Sequence, residues 1–376
     1  MNVVHVINSM SSTYGGSARA TLLTVRGLNE QGVKAQVLTK QLLKGEIPLS
    51  NESFIHFLPL PRFYYERWGY AKAFPQALKS IHSVDAYHVQ GLWQYPGYIT
   101  ANLARKEGVP YLITLHGSLY PEALAHSSLI KKTALSLFQC KMLQDAACIH
   151  TTCTEEMEHY RSLGFTNPVA LLPYPMECSE KAEPSLPVGV KRFGYLGRIH
   201  SRKRVERLFE IWYRLNEPGE LLVMGDGEPD YMQFLKNEVK RLGLQQVRFT
   251  GFVTGEKKNR LLASLTCLVV PSDFENCGLI TPEALLQEVP VIATTGSPWQ
   301  ELETHRCGYW VNNDVDTLTE AVSKILNSDH TTLQEMGKRG RQLVLDKYAV
   351  GRVSEQMVQL YDWVTGKIDK PDFIYY

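Results

Sequence analysis

The chain has 376 residues, of which 44% are hydrophobic and 21% charged. That length exceeds one ordinary core and the composition is too apolar for disorder, so two globular domains are expected. A formal charge of +1 excludes any global electrostatic pull toward nucleic acid, and no uninterrupted apolar run is long enough for a membrane-spanning helix.

The opening MNVVHVIN reads as a strand, since no cationic segment precedes a long apolar one. No secretory leader is therefore expected, and the cytoplasm is the expected compartment. The strand covers Val3 to Ile7, a Gly-rich turn follows at Ser12 to Ser17, and Leu22, Leu23, Val25 and Leu28 mark an amphipathic helix closing near Gly32. Gly15 and Gly16 lie in that turn and permit close backbone approach to a phosphate or sugar, or else only a tight turn. Further strands are predicted at Ala35 to Thr39, Ala86 to Val89, Tyr111 to Leu115, Cys148 to Thr152 and Ala170 to Leu172. The segment Pro61 to Phe74 mixes aromatics with Arg62, Arg67 and Lys72. It suits a peripheral contact with anionic membrane, or an acceptor wall, or plain packing. His88 and Trp93 are candidates to line an acceptor cleft or are packing residues, and His116 stands at the end of the strand beginning at Tyr111.

From Glu177 to Val190 the sequence ECSEKAEPSLPVGV is polar and proline-bearing, the best linker candidate. The alternation then restarts, with strands predicted at Phe193 to Leu196, Leu221 to Met224, Val247 to Phe249, Cys267 to Val270 and Val291 to Ala293. This repeated order is the α/β signature. Directly after the first of these strands comes GRIHSRKR, Gly197 to Arg204, in which Arg198 and Lys203 can neutralise a diphosphate while Arg202 and Arg204 read as solvent residues. Gly225-Asp226-Gly227 is a second strand-end turn.

The most informative stretch is PSDFENCGLITPEALLQEVPVIATTG, Pro271 to Gly296. It reads as a strand, a polar turn carrying Glu275, a short helix carrying Glu283, and another strand. In open α/β sheets ligands sit outside the carboxyl ends of strands. Backbone N–H groups around Asn276, Cys277, Gly278 and Leu279 can receive a phosphate, helped by the positive end of the helix, and the two glutamates can accept hydrogen bonds from sugar hydroxyls. Asp314-Val315-Asp316 has a metal-binding spacing, but Asp316 reads as a helix N-cap, so no metal is expected. The seven cysteines form no C-x-x-C pair and are expected as free, mostly buried thiols. Val353, Met357, Leu360, Tyr361 and Val364 recur at helical spacing in a strongly amphipathic last helix.

Glu275 and Glu283, separated by seven residues, resemble the glutamate-x7-glutamate signature of family four retaining glycosyltransferases of the two-domain type called GT-B. Gly197-Arg198-x4-Lys203 is similar to that family's phosphate-binding segment. The resemblance implies two Rossmann-like domains facing a cleft: an acceptor domain at 1–180, a nucleotide-sugar domain at 181–350, and a C-terminal segment, 351–376, whose helix returns to the first domain. It gives Arg198 and Lys203 the donor phosphates, Glu275 the sugar, Glu283 the ribose, Gly15, Gly16 and Gly225 the edges of the donor site, and His116 a contact to donor sugar or acceptor. Cys277 departs from the pattern, which has an aromatic residue there. Thr295 to Val311 is similar to a variant found in bacterial polysaccharide and lipopolysaccharide enzymes. The implied reaction moves a sugar from a nucleotide-diphosphate sugar, UDP ahead of GDP, to a saccharide or lipid-linked acceptor, without cofactor or metal and possible at the inner face of the membrane. A nucleotide-sugar epimerase of similar fold and a catalytically silent nucleotide-sugar-binding protein are the alternatives.

Overall fold

The computed structural model describes residues 1–60, 68–125, 138–183 and 190–376, and the chain divides into two compact units, Met1–Glu177 with Tyr348–Tyr376, and Cys178–Lys347. The first unit contains β1 (Asn2–Val6), β2 (Lys34–Lys40), β3 (Ile55–Leu58), β4 (Ala86–Gln90), β5 (Tyr111–Thr114), β6 (Cys148–Thr151) and β7 (Val169–Leu171). The second contains β8 (Arg192–Leu196), β9 (Glu220–Met224), β10 (Val247–Gly251), β11 (Cys267–Val270), β12 (Val291–Thr294) and β13 (Gly308–Val311). A last short strand, β14 (Ile374–Tyr375), returns to the first unit and pairs antiparallel with β7.

Among the described residues the sheets run β14-β7-β6-β5-β4-β1-β2-β3 and β10-β9-β8-β11-β12-β13, and every pairing except β14 with β7 is parallel. In each unit the order grows outward from its first strand in one direction, then reverses. These are doubly wound Rossmann-like sheets, and the reversal falls between β1 and β4 and again between β8 and β11. Parallel strands are covered on both faces, which explains why β1, β4, β5, β6, β8 and β11 are buried at every position.

Side chains alternate across β1, so Val4 and Val6 join a core with Tyr87, Val89 and Ile113, whereas Val3 joins Val25 and Leu28 on the other face. That second face is completed by the helix Val350–Val364 through Val353, Met357, Leu360 and Tyr361. The predicted stripe is thus the buried stripe. The helix Gly16–Glu30 packs against it at Gly27, where an added Cβ would come within 2.0 Å of Ser354 Oγ and 2.7 Å of Val350 Cγ1. In the second unit Phe193, Tyr195, Leu208, Phe209, Trp212, Val223 and Ile292 form the core.

Two sequence expectations change. The helix Val315–Asn327 is capped by Asp314, whose carboxylate accepts from Thr317 N at 2.8 Å, rather than by Asp316. The helix begins two residues earlier than the Thr317-led pattern suggests, which moves Asp316 into its first turn, paired with Arg214 at 2.5 Å. The three short strands β3, β13 and β14 were not foreseen.

Candidate functional site

The carboxyl ends of β8, β9 and β11 bring the second unit's sequence-predicted residues together, beside the reversal in strand order. After β8 the backbone at Gly197 bonds to Met224 O and Ile199 N bonds to Asp226 O at 2.9 Å, so the turn after β8 runs against the turn after β9. Such closeness needs glycine: a Cβ on Gly225 or on Gly227 would stand 1.9 Å from the carbonyl oxygen of Gly197 or of Ile199. The G-x-G turn therefore has a structural cause in backbone contact.

Arg198 is exposed, and its carbonyl is held by the Tyr195 hydroxyl at 2.9 Å. Lys203, at the end of a short 3-10 turn, pairs with Glu275 at 2.5 Å, and Ser272 Oγ donates to the same carboxylate at 2.8 Å. The Glu275 backbone N–H is fixed by Gly296 O at 2.7 Å. Arg204 is tied to Asp273, which also meets Arg207 at 2.9 Å and Asn313 at 2.7 Å. Partial burial would raise the Asp273 carboxyl, but the hydrogen bonds from Arg204 and Asn313 and the nearby guanidinium charges hold it below the usual carboxylate range. Arg204 is thus a clamp on the glutamate-bearing loop and not only a solvent residue.

Glu283 lies in the first turn of the helix Ile280–Leu286 and pairs with Lys258 at 2.6 Å, both side chains being largely buried. Between the glutamates, Gly278 has a φ of +59°, and an added Cβ would meet the Trp299 indole nitrogen at 3.0 Å. That indole donates to Cys277 O at 2.8 Å. Trp299 is almost wholly buried, so an aromatic side chain from another loop supports the turn at which Cys277 replaces the expected aromatic residue. Asn276 and Leu279 flank the turn half-buried. Lys258, Asp273, Arg207 and Trp299 escaped the sequence reading. Only Asp273 and Trp299 carried a signal, since the first lies in the Pro271 to Gly296 stretch and the second in the segment after Thr295.

In the first unit Gly15 is the N-cap of the helix Gly16–Glu30 with a φ of +97°. His116 follows β5 at a φ of +51°, a left-handed conformation that costs strain in a non-glycine residue. The turn is held by buried Glu156, which accepts from Gly117 N at 2.5 Å and Thr152 N at 2.8 Å. Burial raises the Glu156 carboxyl, against those hydrogen bonds. His116 Nδ1 meets the Tyr174 hydroxyl, and its Nε2 meets Gln90 Oε1 at 2.9 Å. His88 is buried in β4 with both ring nitrogens bonded inside the unit, to Tyr361 at 2.6 Å and Thr114 at 2.8 Å. That geometry gives it an internal role. Trp93 is half-buried at a φ of +72°.

Of Pro61 to Phe74, residues 61–67 lie outside the described residues. Trp68 packs on Tyr95, Tyr98 and Phe138, Phe74 is fully buried, and Tyr70 is 41% exposed. No helix among the described residues is long and apolar enough to cross a membrane. All seven cysteines are free, with Cys178 exposed, and no His, Cys, Asp and Glu grouping among the described residues could hold a metal ion.

Residues 15–175 match the family described as glycosyl transferase 4-like domain, and residues 190–328 match glycosyl transferases group 1. The human alpha-1,3/1,6-mannosyltransferase ALG2 is 27% identical over 231 residues, 55% of each chain. The chain spans about half the length of the curated relatives it matches. Among solved structures, sucrose-phosphate synthase from Thermosynechococcus elongatus superposes with a TM-score of 0.77 at 20% identity, covering 97% of this chain and 99% of that one. HepE from Anabaena, solved in complex with UDP-glucose, superposes with a TM-score of 0.74 at 16% identity, covering 96% and 100%.

Proposed function

Because the chain belongs to the GT-B glycosyltransferases, we propose that it is a retaining, metal-independent enzyme of family four that takes its sugar from a nucleotide diphosphate, with UDP as the favoured nucleotide. The observation that carries this reading is the pairing of both signature glutamates with lysines, Lys203 with Glu275 and Lys258 with Glu283, beside the strand reversal of the second unit. Carboxylates held this way are ready to accept sugar and ribose hydroxyls, while Arg198 and Lys203 supply charge for the diphosphate. In the proposed step the bond from the anomeric carbon to the diphosphate oxygen breaks, a bond to the acceptor oxygen forms on the same face, and the acceptor proton passes to the departing phosphate. Arg198, Lys203 and the backbone N–H groups near Gly278 stabilise the charge that develops.

The acceptor side we assign to the first unit, centred on the turn at His116. A saccharide or lipid-linked saccharide of the bacterial cell surface, reached at the inner face of the membrane, is the acceptor class we favour. The resemblance of Thr295 to Val311 supports it. The test is thermal unfolding of the unaltered protein with a panel of nucleotides and nucleotide sugars, followed by slow hydrolysis assays. UDP and one UDP-sugar are expected to raise the unfolding midpoint, and that sugar is expected to be released slowly. No stabilisation by any nucleotide diphosphate overturns the reading, and conversion to a different nucleotide sugar without acceptor would favour an epimerase.

A further inference from the structure

The first unit contains a hydrogen-bonded series of polar side chains that crosses its sheet: His116 after β5, Gln90 and His88 in β4, His5 in β1, Thr114 in β5, His150 in β6, and Tyr361 from the helix Val350–Val364. One end fixes the direction of the whole series. A backbone carbonyl only accepts, so His150 Nε2, 2.9 Å from Leu172 O, carries a proton. Among the described residues no carboxylate is bonded to any of the four rings, and burial holds all four imidazoles below their ordinary range, so they are neutral. His150 Nδ1 therefore accepts, and the Thr114 hydroxyl donates to it at 3.0 Å.

Every later link is then determined. Thr114, its proton committed, accepts from His88 Nε2 at 2.8 Å, and His88 Nδ1 accepts from the Tyr361 hydroxyl at 2.6 Å. Tyr361 accepts from His5 Nε2 at 3.1 Å, leaving His5 Nδ1 to accept from the Gln90 amide at 3.0 Å. Gln90 Oε1 accepts from His116 Nε2 at 2.9 Å, and His116 Nδ1 takes the Tyr174 hydroxyl. Running the series backwards would set a lone pair of His150 against the Leu172 carbonyl.

We propose that this one-way chain locks His116 as its Nε2–H tautomer, with Gln90, His5 and Tyr361 as positioning residues, so that His116 shapes the turn after β5 and exchanges no proton with a substrate. The bearing on sugar transfer rests on the acceptor-side reading of that turn; the tautomers do not. A neutral ring with both nitrogens engaged is a rigid strut, and its left-handed backbone is held from below by Glu156. The role also accounts for why polar groups occupy the middle of an apolar sheet: each is satisfied, as burial demands.

The experiment is a two-bond proton–nitrogen correlation spectrum of the full chain labelled at histidine, at neutral pH. His5, His88, His116 and His150 are expected to show a protonated Nε2 and a bare Nδ1, and an Nδ1–H ring or an imidazolium at any of them overturns the proposal. Tyr361→Phe cuts the chain. His150 is then expected to keep its Nε2 proton, anchored by Leu172, while His5 and His116 leave the single-tautomer pattern. An equal response of His150 and His5, or none, overturns the direction. Should that variant not fold, Thr114→Val is expected to release His88 and leave His150 unchanged, with the same outcomes deciding. Stabilisation by UDP is measured in parallel: its absence in the unaltered protein counts against the transferase reading while leaving the tautomer result standing.

Discussion

At the scale of single residues, the proposed site divides into groups expected to meet phosphate and groups that hold them. Arg198→Ala and Lys203→Ala are each expected to weaken UDP binding about 10- to 100-fold, the roughly 1.5–3 kcal/mol of a charged hydrogen bond, with an unchanged fold. Calorimetric titration against circular dichroism separates the two effects, and undiminished affinity in both variants removes the assignment. Gly278→Ala is expected to impair UDP binding as well, because a side chain at a φ of +59° meets the Trp299 indole nitrogen at 3.0 Å. The motifs that carry Arg198, Lys203, Glu275 and Glu283 were legible because they are short and contiguous. Lys258 and Arg207 were not, since their meaning comes from Glu283 and Asp273, which the chain reaches only after one more strand, β11, in the first case and three, β9 to β11, in the second. A lysine pair on an exposed-looking helix carries no such information by itself.

Elements tell a similar story about pattern and position. The inner strands were readable as continuous apolar runs, the mark of burial on both faces. β3 and β13 are edge strands with half-exposed positions, and β14 has two residues, so none displays that run. Where helices meet, Gly27→Ala is expected to lower stability by about 1–2 kcal/mol, overpacking against Ser354 and Val350 outweighing the gain in helix propensity. Urea unfolding checks it, and a stabilised variant would show that the two helices yield. The histidines of β1 and β6 set a pH dependence, with His5 held down at about 3 and His150 at about 4 by burial. Their folded values lie below the unfolded one, so the unfolded chain takes up protons first. Stability is then full above the ordinary histidine range and is lost as pH falls toward 4, by up to about 1.4 kcal/mol per pH unit for each histidine. Denaturant midpoints measured from pH 7 downward test this; a flat profile between pH 6 and 4.5 would contradict it.

For the molecule as a whole, the proposed chemistry asks for no metal, and transfer is expected to survive chelator. An absolute requirement for magnesium would direct the search to residues outside those described, because Asp314 caps a helix and Asp316 pairs with Arg214. The two-unit plan was visible in the repeated alternation of strand and helix, whereas the closing of the first sheet by β14 was hidden in a tail with no apolar period. That closure sets an order for biosynthesis. Residues 348–376 belong to the unit begun by residues 1–177, yet the ribosome must first make the 170 residues of the other one. At usual elongation speeds the nascent first unit waits roughly 10–30 s with β7 unpaired and the seat of Val353, Met357 and Leu360 bare. A chain released before residue 348 would present that apolar seat to its neighbours, and it is expected to clump with them.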